Sequence, residues 1–152
     1  EDTTVLEFPV KWFKDAVQKY SNFAFILLST LANRAQMAEL EAEQHVTMSA
    51  AQLVACFIQR LCELYNFDPA KFTLPYKKSL IASRLGMELE TFSRSLAKLK
   101  SHGVIIEGNQ VMISDMRKIE KYVCGMCSIS GECEIHQKLE KRIDLGESKY
   151  II

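Results

Sequence analysis

Ala82, Gly86 and Phe92 stand four and then six residues apart, inside a stretch that otherwise reads as two short amphipathic helices. That spacing leaves little choice of local structure. Leu80, Ile81 and Leu85 give the first helix an apolar face, with Ala82 where only a small side chain fits. Gly86 supplies the turn, because glycine accepts a positive φ without steric cost. Phe92, Leu96 and Leu99 then repeat at spacings of four and three, the period of one buried helix face. Helix, tight turn and helix in this order are the signature of a helix-turn-helix. Gly103 closes the second helix. Beyond it, Val104-Ile105-Ile106 and Val111-Met112-Ile113 flank Gly108-Asn109, a two-residue hairpin turn. A helix-turn-helix followed by a hairpin predicts a winged helix.

The preceding residues supply a third helix. Ser49 with Gln52 three positions later is a capping box, and Val54, Ala55, Ile58, Leu61, Cys62 and Tyr65 form one stripe behind it. Asn66 to Pro69 ends this helix, and residues 71–75 read as a short extended stretch. Upstream, Ser21 to about Gln44 contains no Gly or Pro and reads as one long helix. Ala24, Leu28, Leu31, Ala35, Ala38, Ala42 and His45 fall at spacings of four and three through it, the pattern of a two-helix seam. Phe25, Leu27, Met37 and Leu40 lie off that seam and predict a second buried face. The chain opens with a strand-like run, Thr3 to Phe8, then Pro9 and a short helix from Val10 to Val17. It lacks an initiator Met, so a fragment of a longer protein is expected.

Composition excludes several classes. The chain is 48% hydrophobic and 25% charged, the make-up of a soluble globular protein. No apolar run approaches the roughly 20 residues needed to cross a bilayer, and no leader opens the chain, so a cytoplasmic protein without a membrane partner is expected. Nineteen basic residues balance nineteen acidic ones, so the distribution of charge carries the information. Between Pro75 and Gly103 six basic residues (Lys77, Lys78, Arg84, Arg94, Lys98, Lys100) face two acidic ones (Glu88, Glu90), a local excess of +4. Positive charge gathered on a helix-turn-helix is what phosphate contact requires. An enzyme is not expected: there is no Gly-rich phosphate loop, and His45, His102 and His136 stand in no relation to a nucleophile or paired carboxylates.

The run from Leu74 to Val104, with Glu-Thr-Phe-Ser-Arg at 90–94, resembles the DNA-binding domain of the CRP/FNR superfamily. The upstream order of strand, short helix, long helix and Ser-Ala-Ala-Gln-Leu-Val-Ala is similar too, so that the resemblance covers roughly residues 3–122. It implies a mainly α fold: a remnant strand of an N-terminal β-roll sensor and a short helix in 1–20, a dimerisation helix in 21–46, a winged helix-turn-helix in 47–122, and a cysteine-containing tail in 123–152. It also implies a homodimeric transcription regulator that binds double-stranded DNA and meets RNA polymerase. Glu90, Ser93 and Arg94 would then read bases. Arg can bond guanine O6 and N7 together, and Glu can accept from cytosine N4. Ser93 matches the fumarate–nitrate branch, and the apolar Leu89 stands where the cyclic-AMP branch has an Arg, which implies half-sites closer to TTGAT than to TGTGA. Lys77, Lys78, Thr91 and Lys98 are the expected phosphate contacts. Leu28, Leu31, Ala35, Ala38 and Ala42 are the expected dimer seam. Ala38-Glu39 stands where cyclic-AMP receptors carry a Thr-Ser pair, which disfavours cyclic AMP as effector.

Five cysteines are too few and too unevenly placed for a disulfide framework. Cys56 and Cys62 read as small core hydrophobes. Cys124, Cys127, Cys133 and His136 form C-x2-C-x5-C-x2-H, a set that can surround zinc or ligate an iron–sulfur centre. Three readings therefore stand side by side: a DNA-binding regulator, a metal- or redox-responsive sensor acting through the tail, and a winged helix used for protein interaction. A surface tail with incidental thiols is the plain alternative for the cysteines.

Overall fold

A computed structural model describes residues 2–66, 68–125, 127 and 133–144. Residues 126, 128–132 and 145–152 of the expected tail lie outside the described residues. The chain divides into two compact units, residues 1–42 and 43–152.

In the first unit, α1 (Val10–Lys19) leads into α2 (Ser21–Thr47), which runs on past the division. Aromatic rings join the two helices. Trp12 stacks on Phe8 with centroids 4.8 Å apart, and Phe23 meets Phe13 edge-on at 5.7 Å and Trp12 at 6.4 Å. The strand expected over Thr3–Phe8 does not form: residues 2–9 carry no regular secondary structure. The physical reason is that a strand needs a neighbour for its backbone groups, and the described strands all lie in one small sheet of the second unit. The seam residues Leu28 and Leu31 are 66% and 52% exposed, and Ala35, Ala38 and Ala42 are exposed with them. Of the expected second face, Leu40 is buried and Leu27 partly so, whereas Phe25 and Met37 are open to solvent.

The second unit is built on α3 (Ala50–Leu64). Its capping box is present: the Ser49 N–H donates to Gln52 Oε1 at 2.9 Å, and the Gln52 N–H donates to Ser49 Oγ at 3.4 Å. The two bonds satisfy orphan donors at the helix start. The stripe Val54, Ala55, Ile58, Leu61 and Cys62 is buried, while Tyr65 is exposed at the helix end and shares a 2.8 Å hydrogen bond with the Tyr76 hydroxyl. Asn66, at φ 48°, turns the chain out of α3.

Around α3 pack α4 (Lys78–Arg84), α5 (Leu89–Leu99), a 3-10 turn at Lys100–His102, and a sheet of β1 (Phe72–Thr73), β2 (Val104–Glu107) and β3 (Gln110–Ile113). The sheet order is β1-β3-β2, all antiparallel. Val104 pairs with Ile113 and Glu107 with Gln110, which leaves Gly108-Asn109 as the expected turn. Val104, Val111 and Ile113 point into the core from the alternate positions that a half-buried hairpin provides.

Two further helices follow the wing. In α6 (Met116–Cys124), Asp115 caps the start by accepting from the Arg117 N–H at 3.0 Å and the Lys118 N–H at 3.3 Å. Met116, Ile119 and Val123 close the core from this side. The last described helix, α7 (Glu134–Asp144), lies against α3 and α6.

Candidate nucleic-acid interface

The turn between α4 and α5 is fixed by backbone hydrogen bonds. Gly86 has φ 64°; its N–H donates to the Ser83 carbonyl at 3.1 Å, and the Met87 N–H donates to Ala82 at 3.0 Å. This pair of bonds is a Schellman motif, which ends α4 and reverses the chain into α5. Ile81 and Ala82 face the core. Leu80, expected on the apolar face, is exposed instead. In a seven-residue helix it sits one residue before Ile81, about 100° around the axis from the buried face.

On α5, Phe92 and Leu99 are fully buried, with Ser95 between them and Leu96 half-buried at the edge. The Ser95 hydroxyl is satisfied by donating to the Thr91 carbonyl at 2.8 Å. This face packs on α3, so the opposite face of α5 is rotationally fixed toward solvent. It carries Glu90, Ser93, Arg94 and Ala97, all exposed at the i, i+3, i+4, i+7 spacing of one helical stripe, with Lys98 beside them. Arg94 Nε lies 3.9 Å from Glu90 Oε1, and Arg94 Nη2 donates to Thr91 Oγ1 at 3.4 Å. The Ser93 hydroxyl donates to the Leu89 carbonyl at 2.9 Å and keeps its lone pairs as acceptors. The three expected base-reading side chains thus share one exposed stripe, near the helix N-terminus where a negative group is favoured.

Among the expected phosphate contacts, Lys77 precedes α4 and Lys78 is its first residue; Lys77 and Lys98 are exposed, Lys78 and Thr91 half-buried. These residues frame the turn and the flank of α5. The wing ends in Gly108 at φ 58°, where no atom lies within 4 Å of an added Cβ, between exposed Glu107 and Asn109.

The tail residues divide differently from the sequence grouping. His136 sits between two carboxylates, with Nδ1 3.5 Å from Glu120 and Nε2 3.3 Å from Glu140. Cys124, Cys127 and Cys133 are half-buried and in no disulfide. Cys56 is half-buried rather than a fully enclosed core residue, whereas Cys62 is completely buried.

A core helix, a helix-turn-helix with its outer face exposed and basic, and a hairpin wing define a winged helix-turn-helix protein. Residues 54–122 match the family described as the Crp-like helix-turn-helix domain, and the winged helix of this chain belongs to it. The chain is 24% identical over 128 residues to the regulatory protein HlyX of Actinobacillus pleuropneumoniae, covering 78% of this chain and 51% of HlyX. Among solved structures it is similar to a regulatory protein of Silicibacter pomeroyi DSS-3 named as a candidate for cAMP binding (32% identity, TM-score 0.55, 73% of this chain and 48% of that one). FixK2 of Bradyrhizobium japonicum shares the fold (22% identity, TM-score 0.63, 73% and 57%). The chain spans about half the length of HlyX. No described helix is long and apolar enough to cross a membrane.

Proposed function

We propose that the chain is the DNA-binding, dimer-forming part of a transcription regulator that reads an inverted repeat of TTGAT-like half-sites. The observation that carries this reading is the stripe on α5. Glu90, Ser93 and Arg94 are exposed together while Phe92, Ser95 and Leu99 anchor the opposite face. In helix-turn-helix proteins the N-terminal residues of the second helix meet base edges in the major groove. Arg94 supplies the fork for guanine and Glu90 the acceptor for cytosine. Lys77, Lys78, Thr91 and Lys98 contact the phosphates on either side, which fixes register without carrying sequence information.

A single helix reads only a few bases, so a second copy is needed for a full site. The exposed Leu28 and Leu31, followed by the small Ala35, Ala38 and Ala42, support a two-fold seam along α2. A two-fold dimer presents two recognition helices about 34 Å apart, one turn of the duplex. RNA polymerase is the further partner of this reading.

Substitution separates the two kinds of contact. Arg94→Ala is expected to cost about 1–3 kcal/mol on the cognate site and to relax the preference at one base position. Lys98→Ala is expected to weaken all sequences alike and to lower the salt slope by about one. An Arg94→Ala protein with unchanged sequence preference overturns the base-reading assignment.

A further inference from the structure

Away from the helix-turn-helix, three side chains able to ligate a metal converge where α7 lies on α6. His136 and Glu140 stand four residues apart on α7, one turn along the same face. Glu120 meets them from the middle of α6. One ring nitrogen of His136 and one oxygen from each carboxylate lie within 4.8 Å of one another. On either side of the ring, Nδ1 is 3.5 Å from Glu120 Oε1 and Nε2 is 3.3 Å from Glu140 Oε1. Two ligands bonded to one tetrahedral zinc ion at about 2.0–2.2 Å stand roughly 3.3–3.6 Å apart. The ring binds an ion through one nitrogen, so one carboxylate must rotate toward it, and Glu140, 54% exposed, has the room.

The surroundings suit an ion as well. His136 and Glu120 are largely buried, which shields the inner side of the cluster from water. The Nδ1 atom is itself buried and makes no hydrogen bond among the described residues, which leaves it open to a metal. The far end of α7 is held on α3, where Arg142 Nη1 lies 3.5 Å from Glu63 Oε1. A cavity of about 310 Å³ adjoins the cluster, lined by Arg117, Glu120, Lys121, Cys124, Gly125 and His136, with space for water in a remaining coordination position. Arg117 and Lys121 on its wall oppose a cation held by charge alone. That disfavours calcium and magnesium, which bind through oxygen, and leaves the ions that bond to imidazole.

We propose that Glu120, His136 and Glu140 form a three-ligand site for a divalent transition-metal ion of the zinc class, with water completing the shell. Two carboxylates and a neutral imidazole together carry the charge that a divalent ion cancels. The sequence grouping put His136 with Cys124, Cys127 and Cys133, whereas the geometry puts it with two carboxylates. An ion bound here joins α7 to α6, the helix that follows the wing.

The test is calorimetric titration of zinc into the full chain, stripped of metal by chelator and kept reduced. Uptake of about one zinc per chain is expected, with neither calcium nor magnesium bound under the same conditions. Bound zinc should raise the melting temperature as its concentration rises and slow amide exchange in α7. Glu120→Gln, His136→Gln and Glu140→Gln should each weaken zinc binding by more than the about 10–100-fold that loss of an outer-shell partner costs. Glu140→Gln alters an exposed side chain, so it decides even where the two buried positions do not tolerate change. Cys127→Ser and Cys133→Ser should bind as the wild type does, which separates this site from thiol chemistry. A chain that takes up no zinc overturns the proposal and leaves His136 as a bridge between two carboxylates. So does undiminished binding in a folded Glu140→Gln variant, loss of binding in Cys127→Ser, or calcium bound as tightly as zinc.

Discussion

The Glu90 carboxylate and the Arg94 guanidinium lie 3.9 Å apart, one turn from each other on the solvent face of α5. Both side chains are largely exposed, 82% and 69%, so the pair adds little to stability. Its consequence is for recognition. In the free protein the carboxylate faces the guanidinium, and under the proposed reading each group turns to a base on DNA. Glu90→Ala removes a negative charge from a surface that approaches phosphates. Its affinity for non-specific duplex should therefore rise, while discrimination at the cytosine position falls by about 1–3 kcal/mol. Titrations on matched and single-base-changed duplexes at fixed salt measure both. A variant that loses affinity on every sequence contradicts this role for Glu90.

The α2 seam predicts assembly. The chain should sediment as a dimer at about tens of micromolar, and Leu31→Glu, which sets two carboxylates against each other across a two-fold axis, should be a monomer. A wild-type monomer, or a Leu31→Glu dimer of undiminished stability, removes the seam.

Much of this architecture was legible in the sequence because local chemistry agreed with the fold. The Ser49/Gln52 box, the Ala82–Gly86–Phe92 spacing and the Gly108-Asn109 turn each encode their own geometry within a few residues. The misses have physical causes as well. Leu80 is apolar but exposed, and so are Phe25 and Met37 among the described residues. In α6 the Asp115 cap and the spacing of Met116, Ile119 and Val123 also encode a helix, one that lies beyond the helix-turn-helix and wing pattern.

Two glycines with positive φ separate backbone strain from crowding. At Gly86 an added Cβ meets nothing nearer than His45 Cε1 at 3.8 Å, so Gly86→Ala should cost only the left-handed penalty, about 1–2 kcal/mol. At Gly103, φ 82°, the same atom falls 2.6 Å from Ser114 Oγ, which donates to the Gly103 carbonyl at 3.2 Å. Gly103→Ala should destabilise more, and adding Ser114→Ala should bring the loss back toward that of Gly86→Ala. Urea unfolding decides; equal losses in the two single variants contradict the crowding.

Burial pushes the Cys62 thiol from 9.0 up to about 12. The folded chain then keeps a proton that the unfolded chain releases, so the stability from this group is complete below about pH 9 and declines as pH rises toward 12. Cys62→Ala should lose stability less steeply than wild type between about pH 8 and pH 10 in urea unfolding. Parallel declines contradict the shift.

The central claim is that α5 reads sequence, and binding to two duplexes at one salt concentration tests it most directly. The chain should bind a TTGAT-N4-ATCAA duplex more tightly than a scrambled duplex of the same composition. The ratio between the two is the quantity to compare, because phosphate contacts contribute to both. In Arg94→Ala that ratio should shrink while binding to the scrambled duplex persists. Equal affinity of the wild-type chain for both duplexes would contradict the account.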